Sequence, residues 1–320
     1  MTEFELIDLF TAAAPRRGQG VLVGIGDDAS LVRPPRGEDL VMTVDALVEG
    51  VHFDRRFRPE DVGWKALAVN LSDLAAMGAR PLWALCALAT RRDERPARLA
   101  GIGRGLAACA REHGTVLVGG NVTRARELSL TVTAVGAVPR GRVLRRGGAR
   151  PGDALLVSGT LGDAALGLGP RAAERSLVRR QRRPVPRVAL GRALAGVASA
   201  AIDLSDGLVQ DLGHVCAASG TGAVVHAGRL PLSPAYRRRA AALARPLDAA
   251  LAGGEDYELL VAVPPARLRR ALAAARAVRV PLTAIGEVTR AGGVRVLDAR
   301  GRPYALRTRG HDHLRPPTPR

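Results

Sequence analysis

Short apolar runs that stop at a glycine or an acidic corner recur along this chain, and they constrain its fold more than any other feature. The corners are Gly24-Ile25-Gly26-Asp27-Asp28, Thr43-Val44-Asp45, Asn70-Leu71-Ser72-Asp73 and Asp203-Leu204-Ser205-Asp206-Gly207. Val21–Val23 enters the first, and Leu40–Val44 reads as a strand ending at Asp45. Residues 61–77 carry Val62, Leu67, Val69, Leu74 and Met77 at helical spacing, with Gly78 as the stop. Asn70 and Asp73, three apart, share a face of that helix. A short helix is predicted at 6–14, a buried strand at 82–89, and a helix at 96–112 that stops before Gly114. Thr115–Val118 is predicted as a strand running into Gly119-Gly120-Asn121, and Leu128–Val138 as another.

The basic, glycine-rich stretch Pro139 to Gly152 interrupts this pattern and marks a domain boundary, giving domains 1–139 and 140–320. The second half opens with a strand at Ala154–Ser158 and a helical, arginine-rich region, 171–195, broken by Pro184 and Pro186. Ser205 or Asp206 is placed to cap a helix running to about Ser219. Strands are expected at 222–227, 257–263, 282–288 and 294–297, a helix near 265–277, and a frayed tail at Arg315–Arg320. Strands and helices mixed in both halves indicate an α/β or α+β protein of two domains.

Composition narrows the function. With 47% hydrophobic but only 3% aromatic residues, the core must be built from Ala, Val, Leu and Ile. The formal charge of +18 comes almost wholly from arginine, because Lys65 is the single lysine. Such charge attracts anionic substrates as readily as nucleic acid, and basic stretches are often solvated faces. Cys86, Cys109 and Cys216 are too few and too far apart for a disulfide frame or a zinc site, so they read as buried residues of a reducing cytoplasm. The acidic start, Met1-Thr2-Glu3-Phe4-Glu5, lacks a signal-peptide core, and no apolar run reaches the ~18 residues of a membrane span.

The chemistry follows from what is present and what is missing. No G-x-x-x-x-G-K-[ST] loop exists, and Lys65 lies in a helix without one. The H-R-D and D-F-G set of protein kinases is also missing. Converging aspartates repel one another and raise their pKa values unless a cation sits among them. Mg2+ wants oxygen ligands and often bridges carboxylates to phosphates, so the pattern points to metal-assisted handling of a nucleotide. Singly, each aspartate is a turn or cap residue, Gly119-Gly120 is a turn open to an anion, and Gly253-Gly254-Glu255-Asp256-Tyr257-Glu258 is an acidic loop. His52 has no metal-ligand partner nearby in sequence.

Taken together, the segments resemble the thiamine-monophosphate kinase family over nearly the whole chain. The resemblance is carried by Gly24-Ile25-Gly26-Asp27-Asp28-Ala29, by Trp64 to Ala79 (WKALAVNLSDLAAMGA), by Ala201-Ile202-Asp203-Leu204-Ser205-Asp206-Gly207-Leu208 and by Gly253-Gly254-Glu255-Asp256-Tyr257-Glu258-Leu259. It implies the two-domain fold of the aminoimidazole ribonucleotide synthetase superfamily, a homodimer joined through N-terminal sheets, and ATP-dependent phosphorylation of thiamine monophosphate. It implies several Mg2+ ions held by Asp28, Thr43, Asp45, Asp73, Asp203 and Asp206, with the Val44 carbonyl contributing. Gly120, Arg146 and Ser205 would touch ATP, and His52 and Glu255 would line the thiamine-phosphate pocket. Three positions depart from the family pattern. Asn121 stands in place of an Asp metal ligand and keeps an oxygen but not the charge. His113 replaces an aromatic ring beside the adenine, and Leu314 an aromatic ring against the substrate.

The acceptor is a phosphate oxygen, largely ionised at neutral pH because a phosphate monoester's second pKa is about 6. Alignment and charge neutralisation then suffice for direct in-line transfer, and no catalytic side chain is expected. Two other readings stand beside this one: a synthetase of the same fold activating an amide or carbonyl oxygen, and a basic binding protein for nucleic acid. A selenophosphate synthetase would need a reactive residue near the N-terminus, whereas the first cysteine is Cys86.

Overall fold

A computed structural model describes residues 2–168, 174–306 and 310, in two units, Met1–Val143 and Leu144–Arg320. The first unit contains α1 (Glu3–Thr11), β1 (Val21–Val23), β2 (Leu31–Val32), β3 (Glu38–Val48), α2 (Pro59–Ala76), β4 (Arg80–Thr90), α3 (Pro96–His113), β5 (Val116–Arg124) and β6 (Ser129–Pro139). Its main sheet runs β3-β6-β4-β5, with β5 parallel to β4 and the other pairs antiparallel.

α2 starts with proline in its first turn, where a missing N–H costs nothing, and with Glu60 and Asp61, whose charge suits the helix N-terminus. It then buries every residue from Val62 to Ser72, because it packs on β3, β4 and β6 as well as on α3. The two helices meet at backbone contact. A Cβ on Gly63 would lie 1.8 Å from the Ile102 carbonyl oxygen, and one on Gly105 would lie 1.9 Å from that of Glu60. α3 stops where expected, at Gly114 in the left-handed conformation (φ 66°).

Two strands outrun their expected ends. β3 continues past Asp45 to Val48 because β6 pairs with all eleven of its residues, so Asp45 stands within a strand. β5 likewise continues through Gly119-Gly120-Asn121 to Arg124 along β4, so that glycine pair is not a turn. Strand length here is set by the partner strand, which local sequence does not report.

The second unit contains β7 (Ala154–Ser158), α4 (Asp163–Leu168), α5 (Arg175–Arg182), α6 (Val188–Leu194), β8 (Ala200–Asp203), α7 (Leu208–Ser219), β9 (Gly222–His226), α8 (Pro234–Ala240), α9 (Asp248–Ala252), β10 (Leu259–Val263), α10 (Leu268–Ala277), β11 (Leu282–Thr289) and β12 (Gly293–Leu297). Its sheet runs β12-β9-β11-β7-β10-β8, antiparallel except for β12 with β9. The core includes Leu155, Val157, Ile202, Leu208, Leu212, Val215, Tyr236, Leu260 and Ile285. β10 begins at Leu259 rather than Tyr257, since Tyr257 is held at φ 50°, outside strand geometry. Neither Ser205 nor Asp206 caps α7. Gly207 occupies the cap without a side-chain bond, and the Asp211 carboxylate reaches back to accept from the N–H groups of Asp206 and Gly207, each at 3.1 Å.

Among the described residues no helix is long and apolar enough to cross a membrane. Cys86, Cys109 and Cys216 are buried and none is in a disulfide.

Candidate functional site

In the first unit, Thr43 and Asp45 lie two apart on β3 and so share one face. That face meets α2, where the Thr43 hydroxyl donates to Asp73 Oδ2 at 2.5 Å. Burial, then the negative charge of Asp73, then a hydrogen bond with Asp73 push the Asp45 carboxyl up to about 6. Asp45 is not at a strand end, as the sequence suggested, but within β3, whereas Asp73 stands on the helix where the sequence placed it, in the last turn of α2. The alternate β3 residues face the other way, and Val44 exposes 58% of its surface.

Asp28 sits on the exposed loop after β1, its N–H donating to Asp27 Oδ1 at 2.8 Å. With Gly120 and Asn121 it lines a cleft of about 800 Å3 shared by α1, the 24–30 loop and strands β4, β5 and β6. Asp45 and Asp73 do not line that cleft, so the structure gathers the first unit's acids in two places. Gly120 has a structural reason of its own, since a Cβ there would lie 2.0 Å from the Cys86 carbonyl oxygen on β4.

His52 follows β3 in a turn. Its Nδ1 accepts from the Val48 N–H at 3.1 Å, and its carbonyl accepts from Lys65 Nζ at 3.2 Å. The single lysine is fully buried, its ammonium 5.7 Å from the centroid of the Phe57 ring. His113 ends α3 with its ring edge-on to Trp64, centroids 6.3 Å apart, and burial pushes its pKa down.

In the second unit, Asp203 closes β8 and is buried, and Ser205 and Asp206 follow, half-buried. The 253–258 loop is stitched to this corner: Glu255 N–H donates to the Ser205 carbonyl and Tyr257 N–H to that of Leu204, both at 2.8 Å. Ser205 and Glu255, remote in sequence, are thereby neighbours. Burial first, then the charge of Asp206, raises the Asp211 carboxyl to about 7; backbone N–H bonds and the nearby Arg146 guanidinium pull the other way. Arg146 is thus near enough to Asp211 for its charge to act on that carboxyl.

Glu258, fully buried, accepts from Ser158, Arg180 and both ends of the Arg187 fork. Burial alone would raise its pKa, but Arg187, Arg180 and Ser158 together hold it below the usual carboxylate range. Asp256, also buried, accepts the Gly162 N–H at 2.6 Å, and burial pushes it up to about 8.

Sequence reading missed Lys65, Arg180, Gln181, Arg187, Asp211 and Glu258 as site-supporting residues. The arginines were lost in a strongly basic chain, and Asp211 was hidden inside a helix expected to be capped by Ser205 or Asp206. Leu314 lies outside the described residues.

The donors gathered in each unit are all oxygens, and each set contains a carboxylate pair whose members repel: Asp45 with Asp73, and Asp206 with Asp211. That chemistry fits a hard divalent cation. Among the described residues no three His, Cys, Asp or Glu side chains are grouped as a metal cage.

The family model for the AIR synthase related protein, N-terminal domain, matches residues 26–138, and that for the C-terminal domain matches residues 150–299. The thiamine-monophosphate kinase of Salmonella typhimurium is 41% identical over 326 residues, covering 98% of this chain and 99% of that relative. The solved thiamine-monophosphate kinase from Stenotrophomonas maltophilia superposes with a TM-score of 0.84 at 44% identity, covering 95% of this chain and 98% of that one. The structure of AaThiL complexed with AMPPCP and TMP superposes with a TM-score of 0.78 at 34% identity, covering 91% and 92%.

Proposed function

The chain belongs to the thiamine-monophosphate kinases of the AIR synthase related family, and from that premise we propose that it phosphorylates thiamine monophosphate with ATP, yielding thiamine diphosphate and ADP. The observation that carries this reading is the 41% identity with a thiamine-monophosphate kinase across 98% of the chain. The AaThiL complex supports both substrates, since AMPPCP is a nucleotide analogue and TMP the acceptor.

Asp28, Thr43, the Val44 carbonyl, Asp45, Asp73, Asn121, Asp203 and Asp206 are assigned to Mg2+. His113, Gly120, Asn121, Arg146 and Ser205 are assigned to ATP, and His52, Glu255 and Leu314 to thiamine monophosphate. When bound, Mg2+ supplies positive charge against the polyphosphate and the incoming phosphate. Asp45 and Asp73 hold their oxygens ready on two rigid elements, with Thr43 fixing the Asp73 carboxylate by hydrogen bond. Arg146 offers a permanently charged fork to phosphate oxygens, and the Ser205 hydroxyl donates or accepts as required. An acceptor phosphate oxygen attacks the γ-phosphorus in line while the bond to the β-phosphate oxygen breaks, and ADP leaves. Because the acceptor is already ionised, no side chain need remove a proton.

The N-terminal domain, 1–139, is assigned to nucleotide, metal and dimer contacts, and 140–320 to completion of the site. β3 is an edge strand whose outer face exposes Leu40, Met42 and Val44 by 40%, 68% and 58%. An apolar edge of this kind suits a second copy of the chain. Three buried thiols outside any disulfide suit a reducing cytoplasm.

The test is incubation of the protein with ATP, Mg2+ and thiamine monophosphate, followed by separation of the products. Thiamine diphosphate equal to the ADP released is expected. ADP without it would move the assignment to a synthetase acting on another oxygen.

A further inference from the structure

The side chain that caps a helix usually stands just before its first turn, where its oxygen accepts from backbone N–H groups. α7 has no room for one there. Gly207 occupies the position with φ 119°, and a Cβ on it would lie 2.8 Å from the Ala252 carbonyl carbon. Asp211, one turn inside the helix and 2% exposed, reaches back instead. Its Oδ2 accepts from the N–H groups of both Asp206 and Gly207, each at 3.1 Å. A carboxylate this deep is tolerated only with such partners.

The corner that precedes α7 is therefore held through its backbone from two sides. On one side the 253–258 loop binds it: Leu204 N–H donates to the Glu258 carbonyl, Glu255 N–H to the Ser205 carbonyl and Tyr257 N–H to the Leu204 carbonyl, each at 2.8 Å. On the other side Asp211 takes the next two N–H groups. None of these bonds uses the Ser205 hydroxyl or the Asp206 carboxylate, which accepts from Gln210 Nε2 at 3.2 Å. Serine and aspartate beside a helix start ordinarily turn their oxygens onto the backbone; here a third residue fixes that backbone for them.

We propose that Asp211 is a positioning residue for the nucleotide: by holding the Asp206 and Gly207 N–H groups, it sets where the Ser205 hydroxyl and the Asp206 carboxylate stand, without itself touching ATP or metal. The proposal rests on the assignment of Ser205 to ATP and of Asp206 to Mg2+. A pair of groups set before binding avoids an ordering cost that would otherwise weaken the complex. The charges of Asp206 and Arg146 both act on Asp211, so the rival account is that Asp211 works by its charge and not as a hydrogen-bond acceptor.

The test titrates the full chain calorimetrically with AMPPCP in Mg2+, with no acceptor present, and then measures steady-state kinetics with each substrate varied in turn. Asp211→Ala should weaken AMPPCP binding and raise KM for ATP about tenfold, as loss of hydrogen bonds to a charged group does, with KM for thiamine monophosphate within about twofold of the parent. Both bonds converge on one oxygen, so Asp211→Asn keeps the acceptor and loses the charge; it should restore affinity to within about threefold of the parent. Asp211→Glu keeps the charge but displaces the acceptor by a methylene, and it should bind less tightly than Asp211→Asn. The reverse order would make charge the agent and overturn the proposal, and that comparison stands even if Asp211→Ala fails to fold. A purely structural role predicts a lower Tm in Asp211→Ala with unchanged affinity where the variant is folded, which would also overturn it. Asp206→Asn locates a failure. Parental AMPPCP binding in that variant would remove the assignment of the corner, and the proposal with it. Weakened binding there beside parental binding in Asp211→Ala would remove Asp211 alone. The calorimetric arm holds no acceptor, so its outcome is separate from whether thiamine diphosphate forms.

Discussion

The Thr43 hydroxyl donates to the Asp73 carboxylate at 2.5 Å, tying the middle of β3 to the last turn of α2. Asp45, two residues along the same strand face, carries a raised pKa because it is buried beside that carboxylate. Two acids and a hydroxyl thus meet between a strand and a helix of the first unit, an arrangement that suits a cation and is costly without one.

Asp73→Asn keeps the volume and a hydrogen-bonding oxygen but removes the charge. It should reduce kcat for thiamine diphosphate formation by about 100-fold or more, the scale of a lost electrostatic contact to the reacting groups. Circular dichroism should be unchanged. Full turnover in this variant and in Asp203→Asn would contradict the metal assignment.

Binding of Mg2+ to the folded state alone must raise its stability. With Mg2+ at 100 times its dissociation constant the gain is about 2.7 kcal/mol, read as a higher Tm in Mg2+ than in EDTA. Asp73→Asn should shrink that difference, and a Tm indifferent to chelator would count against the site.

Glu258 gives the clearest pH dependence. Its folded pKa lies below the usual 4.5, because Arg187, Arg180 and Ser158 outweigh burial. The unfolded chain therefore binds the proton more readily than the folded one. The stability Glu258 contributes is complete above 4.5 and lost as pH falls through the lower folded pKa. Glu258→Gln strands two guanidinium groups and should cost about 3–5 kcal/mol at neutral pH. In urea denaturation the variant should also show a shallower loss of stability below pH 4.5 than the parent.

Met42 exposes 68% of its surface in the centre of the outer face of β3. In the proposed homodimer Met42→Arg places a charge where the second copy would seat, so light scattering after gel filtration should show a dimer for the parent and a shift toward monomer for the variant, with the fold intact by circular dichroism. A dimer unaffected by the change would place the interface elsewhere.

Several features were legible because they are local. The helical spacing of Val62, Leu67, Val69 and Leu74 located α2, and Gly114 ended α3, since both depend on residues within a turn or two. The DLSDG and GGEDYE segments were legible as chemistry through family resemblance. Asp211 and Gln181 were not, because their roles come from the residues that fold against them.

From its order of residues alone, this chain determined where most strands and helices form, because burial periodicity and turn chemistry act over a few neighbours. Tertiary structure alone decided that β3 runs on past Asp45, that Asp45 and Asp73 share one half-buried place, and that Gln181 meets Glu255 while two arginines meet Glu258. Strand length depends on a partner strand, and the ionisation of a carboxyl on whatever packs around it; both are set by contacts between residues far apart in sequence.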